Sequence, residues 1–268
     1  MYNLLLAGNK NVYDGAVINA LSYIKYNKKE TTVYLLTMDL TDINPKFTPI
    51  NQAQADKLEA IYKRGNPNSK VILVDCREQF LAKLGNSDSL NTGYTPYTYL
   101  RLFIDKSIPV DKILYLDTDT IFNGNIDELY NLDISDYEYA GAHDYMGQFW
   151  ISRNYINAGV LLFNLKKIRE TRLFDVCIEA LSRKKYTFND QDVLNLFVEK
   201  KYIISNIYNN QHKYTEETVI QHFSKTIRWI PYFRILNIKP WMVDDVHKIY
   251  KLHAYDDILN EYLSMKEE

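Results

Sequence analysis

Two aspartates one residue apart, Asp117 and Asp119, close an apolar run in "ILYLDTDTIF" (113–122). Carboxylates behind a buried strand are costly unless a cation or strong donors meet them. Three chemistries use such a pair. It can be a strand end and turn in which Asp caps backbone donors. It can be an aspartyl-phosphate phosphatase site, one Asp the nucleophile and the other the acid/base. It can hold a metal for a nucleotide diphosphate, because carboxylates offset by two residues reach one hard cation while Thr118 points away. The phosphatase pattern wants a small residue and then Thr or Val after the second Asp, close to the N-terminus. Here Thr120 and Ile121 follow, and three strand-like runs precede. The metal reading therefore leads. It demands a third ligand, a cationic phosphate clamp, a base pocket at the first strand and polar groups for the transferred moiety.

The elements that must position this pair are legible. Apolar runs recur at 3–8, 33–38, 71–75 and 113–117. None alternates, so each is expected to be buried on both faces, as in a parallel sheet. Between them, Val17, Ala20, Leu21 and Ile24 fall on one face of a helix over 14–27, and 51–64 reads as a helix stopped by "GNPNS". This β-α-β-α-β order predicts a doubly wound α/β domain with ligands beyond the carboxyl ends of the strands, where Asp75 and Asp117 stand. Further on, "EYAGAHD" and "NAGVLLFNL" read as strands. Helices are expected over 166–185, 190–200 and 244–264.

The 268 residues, 46% hydrophobic, suffice for one large core. A net charge of −2 excludes a global field for nucleic acid. Cys76 and Cys177 stand far apart, in neither disulfide nor zinc spacing. The start "MYNLLLAGNKN" is too short for a signal segment and no run has transmembrane length, so a cytoplasmic protein is expected.

With these motifs assembled, the sequence resembles glycosyltransferase family 8, the retaining nucleotide-sugar enzymes that include glycogenin and lipopolysaccharide galactosyl- and glucosyltransferases. The resemblance rests on "YLDTDTI" (115–121) with Leu129 downstream, "INAGVLLFNLKKIR" (156–169) and "DQDVLN" (190–195), in order, and covers residues 2 to about 241. It implies a Rossmann-like GT-A fold, α/β with a mixed, mainly parallel central sheet. It also implies a UDP-sugar donor and Mn2+, with Mg2+ as second choice. Asp117 and Asp119 would ligate the metal and His222 would complete its shell; two carboxylates and an imidazole suit Mn2+ better than Mg2+. Donor contacts are implied at Ala7, Asn9 and Tyr13 for the base, and at Arg101, Asp117, Thr118, Asn157, Ala158 and Gly159. Asp190, Gln191 and Asp144 are implied around the reacting sugar. Gly159 would let bare backbone approach that sugar.

The chain departs from the family pattern in two places. Asn9 stands where an aspartate is usual. The family's phosphate-binding Gly and Lys, three and six residues after the His, are here Lys225 and Arg228, while a literal Lys239-Pro240-Trp241 comes later. Arginine chelates phosphate bidentately, so spacing favours Arg228 as the clamp over Lys239.

The expected domains are a catalytic unit over 1–222 and a basic, aromatic extension over 223–268. Within 225–253, Lys225, Arg228, Arg234, Lys239, Lys248 and Lys251 interleave with Trp229, Tyr232, Phe233 and Trp241. That pattern suits either a packed subdomain or a peripheral contact with an anionic membrane carrying a lipid-linked acceptor. The overall expectation is transfer of Gal or Glc from a UDP-sugar to a saccharide or glycolipid. A phosphatase and a non-catalytic sugar-binding protein are the alternatives.

Overall fold

A computed structural model describes residues 1–87, 95–228 and 234–267. Its centre is a seven-stranded mixed sheet in the order β3-β2-β1-β4-β7-β6-β8. The strands are β1 (Tyr2–Ala7), β2 (Thr31–Thr37), β3 (Lys70–Asp75), β4 (Lys112–Leu116), β6 (Tyr139–His143), β7 (Ile156–Asn164) and β8 (Lys201–Ile204). β3, β2, β1 and β4 run parallel, β7 is antiparallel to β4 and β6, and β8 is parallel to β6. Four further strands form two small antiparallel pairs: β5 (Thr120–Phe122) with β9 (Ile220–His222), and β10 (Thr226–Arg228) with β11 (Arg234–Leu236).

The helices are α1 (Tyr13–Tyr26), α2 (Gln52–Gly65), α3 (Arg77–Leu84), α4 (Ile104–Ser107), α5 (Asp127–Asn131), α6 (Gly147–Trp150), α7 (Leu165–Thr171), α8 (Leu173–Arg183), α9 (Asn189–Phe197), α10 (Val243–Asp245) and α11 (Asp256–Glu267). Period-two alternation shares the strand residues between two cores. Leu4, Leu6, Leu114, Leu116, Val160 and Leu162 face α1, α2 and α11. Leu5, Ile113, Tyr115, Leu161 and Phe163 face α3, the 3-10 helix Pro96–Phe103 and α7 to α9.

The two-faced burial expected of every apolar run fails at β3. It is an edge strand whose outer face is only partly covered: Ile72 is 36% exposed while Val74 packs against the core. Asp75 at its end accepts the amide of Arg77 at 2.9 Å and so serves α3 rather than the site.

Two of the expected helices are broken, for one physical reason. At 100° per residue, an unbroken helix over 165–183 would put Leu165 and Ile168 about half a turn away from Phe174, Cys177 and Leu181. A left-handed residue, Arg172 (φ 59°), lets both sets reach the core. The same conflict sets Val246 opposite Tyr255, Ile258, Leu259 and Tyr262. There the chain passes through a π-helical turn, Val246–Tyr250, and left-handed Lys251 (φ 52°) before α11 begins.

Residues after 222 share the core of the rest: Phe223, Ile238, Val246, Tyr255 and Leu259 belong to the same cluster as Leu4 and Leu114. Trp241, for which the sequence leaves a packed subdomain and a membrane contact both open, packs against Gly15 of α1. Trp229, Tyr232 and Phe233 lie outside the described residues. Among the described residues no helix is long and apolar enough to cross a membrane.

Candidate active site

Beyond the carboxyl end of β4 the chain turns sharply. Asp117 N donates to Gly159 O of β7 at 2.7 Å, and Thr120 Oγ1 closes the turn on Asp117 O at 2.8 Å. Asn19 of α1 donates to Thr120 Oγ1 at 2.8 Å. On the same helix, Gly15 is hydrogen-only because a Cβ would stand 2.5 Å from Thr118 O. Thus α1 buttresses the turn carrying both aspartates. His222, more than a hundred residues later, arrives because β9 pairs with β5 and sets His222 opposite Thr120.

Each group of the triad has one atom engaged outward and one turned inward. Asp117 Oδ1 accepts from Tyr115 Oη at 2.5 Å and Arg101 Nη2 at 3.0 Å. Asp119 Oδ2 is held by Lys239 Nζ, which also donates to Phe223 O at 2.9 Å. His222 Nδ1 meets Asn209 Oδ1 at 2.9 Å. That leaves Asp117 Oδ2 and Asp119 Oδ1 at 3.6 and 3.3 Å from His222 Nε2.

The tautomer of His222 follows from a chain of amide assignments. Asp144 Oδ2 can only accept, so the atom of Asn157 beside it (2.9 Å) is the amide nitrogen. Asn157 Oδ1 then accepts from Gly159 N at 2.9 Å and from Asn209 Nδ2 at 3.0 Å. Asn209 Oδ1 is left to face His222, whose Nδ1 must carry the proton. In the neutral ring Nε2 is bare. Three acceptor atoms then face one another, with His222 and Asp119 largely buried and Asp117 30% exposed, an arrangement that asks for a cation. Burial alone would raise the Asp119 carboxyl. The Lys239 ammonium outweighs it and holds that carboxyl well below the usual range. One nitrogen and two oxygens fit a divalent ion of intermediate hardness.

Around this triad lie most of the other sequence-derived candidates. Arg101, 3% exposed, is a buried hub rather than a helix-surface residue. It stacks on Tyr115 at 3.9 Å, donates to Ala158 O and Asp117, and pairs with Asp190 Oδ2 at 3.1 Å. Its Nε hydrogen goes to Thr98 O, so Asp190 Oδ2 receives charge without a hydrogen bond from it. Burial, with repulsion from Asp117, pushes the Asp190 carboxyl up to about 6 despite Arg101. The residue before Asp190, Asn189, is left-handed (φ 48°).

The rest of that motif stitches α9 to β7. Asn195 Oδ1 and Nδ2 bond Ile156 N and O at 2.9 Å each, and Gln191 Oε1 accepts Ala158 N at 2.9 Å. The side chains thereby stand in for a missing strand partner. Gln191 Nε2 reaches Asp144 Oδ2 at 3.3 Å, and Asp144 Oδ1 caps Met146 N and Gly147 N. Gly159 also has a reason within the fold. A Cβ there would overlap the His222 ring, 2.6 Å from its Nδ1, so the glycine makes room for the imidazole.

At the end of the neighbouring strand β1, Ala7 is its last residue, Asn9 lies in the connection and Tyr13 opens α1. Asn9 is occupied locally: Oδ1 accepts Asn11 N at 3.2 Å and Nδ2 donates to Lys46 O at 3.3 Å. Tyr13 donates to Gln54 O at 2.9 Å. Lys225 is exposed. Arg228 lies on β10, its side chain outside the described ones. The lysine that reaches the carboxylates is Lys239. Strands β10 and β11 pair between His222 and Lys239, and beyond them Lys239 meets Asp119. Sequence reasoning missed Asn209, Tyr115 and Gly15. The literal Lys-Pro-Trp pointed to Lys239, whereas "YNNQHK" carries no comparable signal for Asn209.

The profile described as Glycosyl transferase family 8 matches residues 3–244. Glycosyltransferase GlyA of Streptococcus pneumoniae is 36% identical over 204 residues, 75% of this chain but 26% of its own length. Lipopolysaccharide 1,2-glucosyltransferase of Escherichia coli is 26% identical over 99% of this chain and 86% of its own. The chain thus spans about a quarter of GlyA but most of the E. coli relative. Among solved structures, galactosyltransferase LgtC with donor and acceptor sugar analogs superposes with TM-score 0.70 at 19% identity, over 97% of this chain and 95% of that one. This likeness places the fold in the GT-A class.

Proposed function

The chain belongs to glycosyl transferase family 8, and from that membership and the triad's geometry we propose that it is a divalent-metal-dependent hexosyltransferase. It takes glucose or galactose from a UDP-sugar, with retention of configuration, and delivers it to a saccharide or glycolipid acceptor of the cell surface. The named hexoses and lipopolysaccharide acceptors of its relatives support that choice. The observation that carries the reading is the inward convergence of Asp117 Oδ2, Asp119 Oδ1 and bare His222 Nε2.

Asp117, Asp119 and His222 would hold the ion, with Mn2+ preferred by the mixed donor set; such an ion stabilises charge on a leaving diphosphate. Lys239, already on Asp119, is the cation placed to meet phosphate oxygens. Arg101 keeps Asp117 and Asp190 in register. Asp190 supplies negative charge on the sugar side, and Asp144, fixed by Asn157 and Gln191, offers a carboxylate to sugar hydroxyls. Ala7, Asn9 and Tyr13 bound the nucleotide end. The test is release of UDP from UDP-glucose or UDP-galactose with and without Mn2+. Metal-dependent release is expected; no release from any nucleotide sugar would overturn the reading.

A further inference from the structure

A second cluster of potential ligands lies outside the site. The rings of His247 and His253 stack with centres 4.6 Å apart and planes 20° apart. The carboxylate of Asp256 reaches both: Oδ1 is 2.7 Å from His247 Nε2 and Oδ2 is 3.0 Å from His253 Nδ1. On a regular helix, residues six apart point to different faces. Here the π-helical turn and left-handed Lys251 fold His253 back onto His247.

We infer that His247, His253 and Asp256 form a surface site for a zinc-class divalent ion. One atom from each residue lies within 4.8 Å of the others, a span that bonds of about 2.0–2.2 Å close with small side-chain rotations. Two imidazoles and one carboxylate select Zn2+, Co2+ or Ni2+ over magnesium, calcium or manganese. The side chains are 28%, 62% and 38% exposed, which leaves room for water to complete the shell. No residue is shared with the Asp117, Asp119 and His222 triad. His253 also lines a cavity of about 630 Å³ whose other wall includes His222, Phe223 and Ser224. An ion here pins the 249–254 wall of that cavity to the start of α11.

The test uses Co2+, which is visible by its d–d absorption, on the full chain carrying Asp119→Asn to weaken the first site. One Co2+ per chain, displaced by Zn2+, is expected, with affinity falling at least tenfold when His253→Ala or His247→Gln is added. Zn2+ should raise the thermal midpoint of Asp119→Asn but not of Asp119→Asn/His253→Ala. His253 is largely exposed, so its removal leaves the fold intact. Unchanged Co2+ affinity in both double variants, or no Co2+ bound by Asp119→Asn at all, overturns the inference and leaves the cluster a hydrogen-bonded clasp. Neither outcome depends on glycosyl transfer.

Discussion

Gly159 and the imidazole of His222 occupy each other's space: a Cβ on the glycine would stand 2.6 Å from Nδ1 of the ring. The third member of the triad can reach its place only because β7 carries no side chain at that point. Gly159→Ala should therefore displace His222 and lower metal-dependent UDP release by about a hundredfold, at a cost of roughly 1–3 kcal/mol in stability. Steady-state kinetics beside thermal denaturation checks this. Full activity in the alanine variant would show that the ring need not sit where it does.

Asn209 contacts neither carboxylate, yet it decides which nitrogen of His222 is bare. Asn209→Ala removes that control and should weaken Mn2+ binding about tenfold to a hundredfold. Metal titration followed by UDP release or manganese EPR measures it. An unchanged metal affinity would remove Asn209 from the positioning chain that begins at Asp144.

Lys239 stands in for a cation at Asp119 when no metal is present. The depressed Asp119 carboxyl contributes stability that is present above its unfolded value and lost as pH falls through the lower folded one. Lys239→Ala should destabilise the metal-free protein by about 1–3 kcal/mol, because a buried carboxylate loses a charged partner. Added Mn2+ should restore more of the thermal midpoint in the variant than in the wild type. Equal losses with and without metal would contradict this.

Asp190 titrates in the opposite sense. Its folded carboxyl is pushed up to about 6, above the ordinary 3.8, so the folded state holds this proton more tightly than the unfolded chain. Its contribution to stability is full below 3.8 and is lost as pH rises to about 6, a swing of roughly 2–3 kcal/mol. Asp190→Asn should flatten the stability profile between pH 4 and 6. Because the ionised form is the one proposed to face the sugar, wild-type UDP release should rise with pH through about 6. A stability profile unchanged by the substitution would refute the assignment.

Asp119→Asn should abolish metal-dependent UDP release while leaving the cooperative unfolding transition in place, and chelation of the wild type should have the same effect on activity. Both measurements use the UDP-release assay beside a thermal melt. Activity retained by the variant would sink the metal assignment.

The sequence by itself determined the sheet's inner strands, the carboxylate pair at the end of β4, the order of the three motifs and the family. These are local: an apolar run ending in Asp-x-Asp reads the same wherever the chain goes. The edge position of β3 was not local, because which strand lacks a neighbour is decided by the whole sheet. Nor were the breaks at Arg172 and Lys251, where two apolar stripes half a turn out of phase must face one core. The literal Lys239-Pro240-Trp241 was visible, but its contact with Asp119 was not, because spacing from His222 counts residues through the paired strands β10 and β11, while distance in space does not. Asn209, Gly15 and the reason for Gly159 belong to the tertiary structure alone: each meets a group that the fold brings from another segment, and chain order carries no trace of that contact.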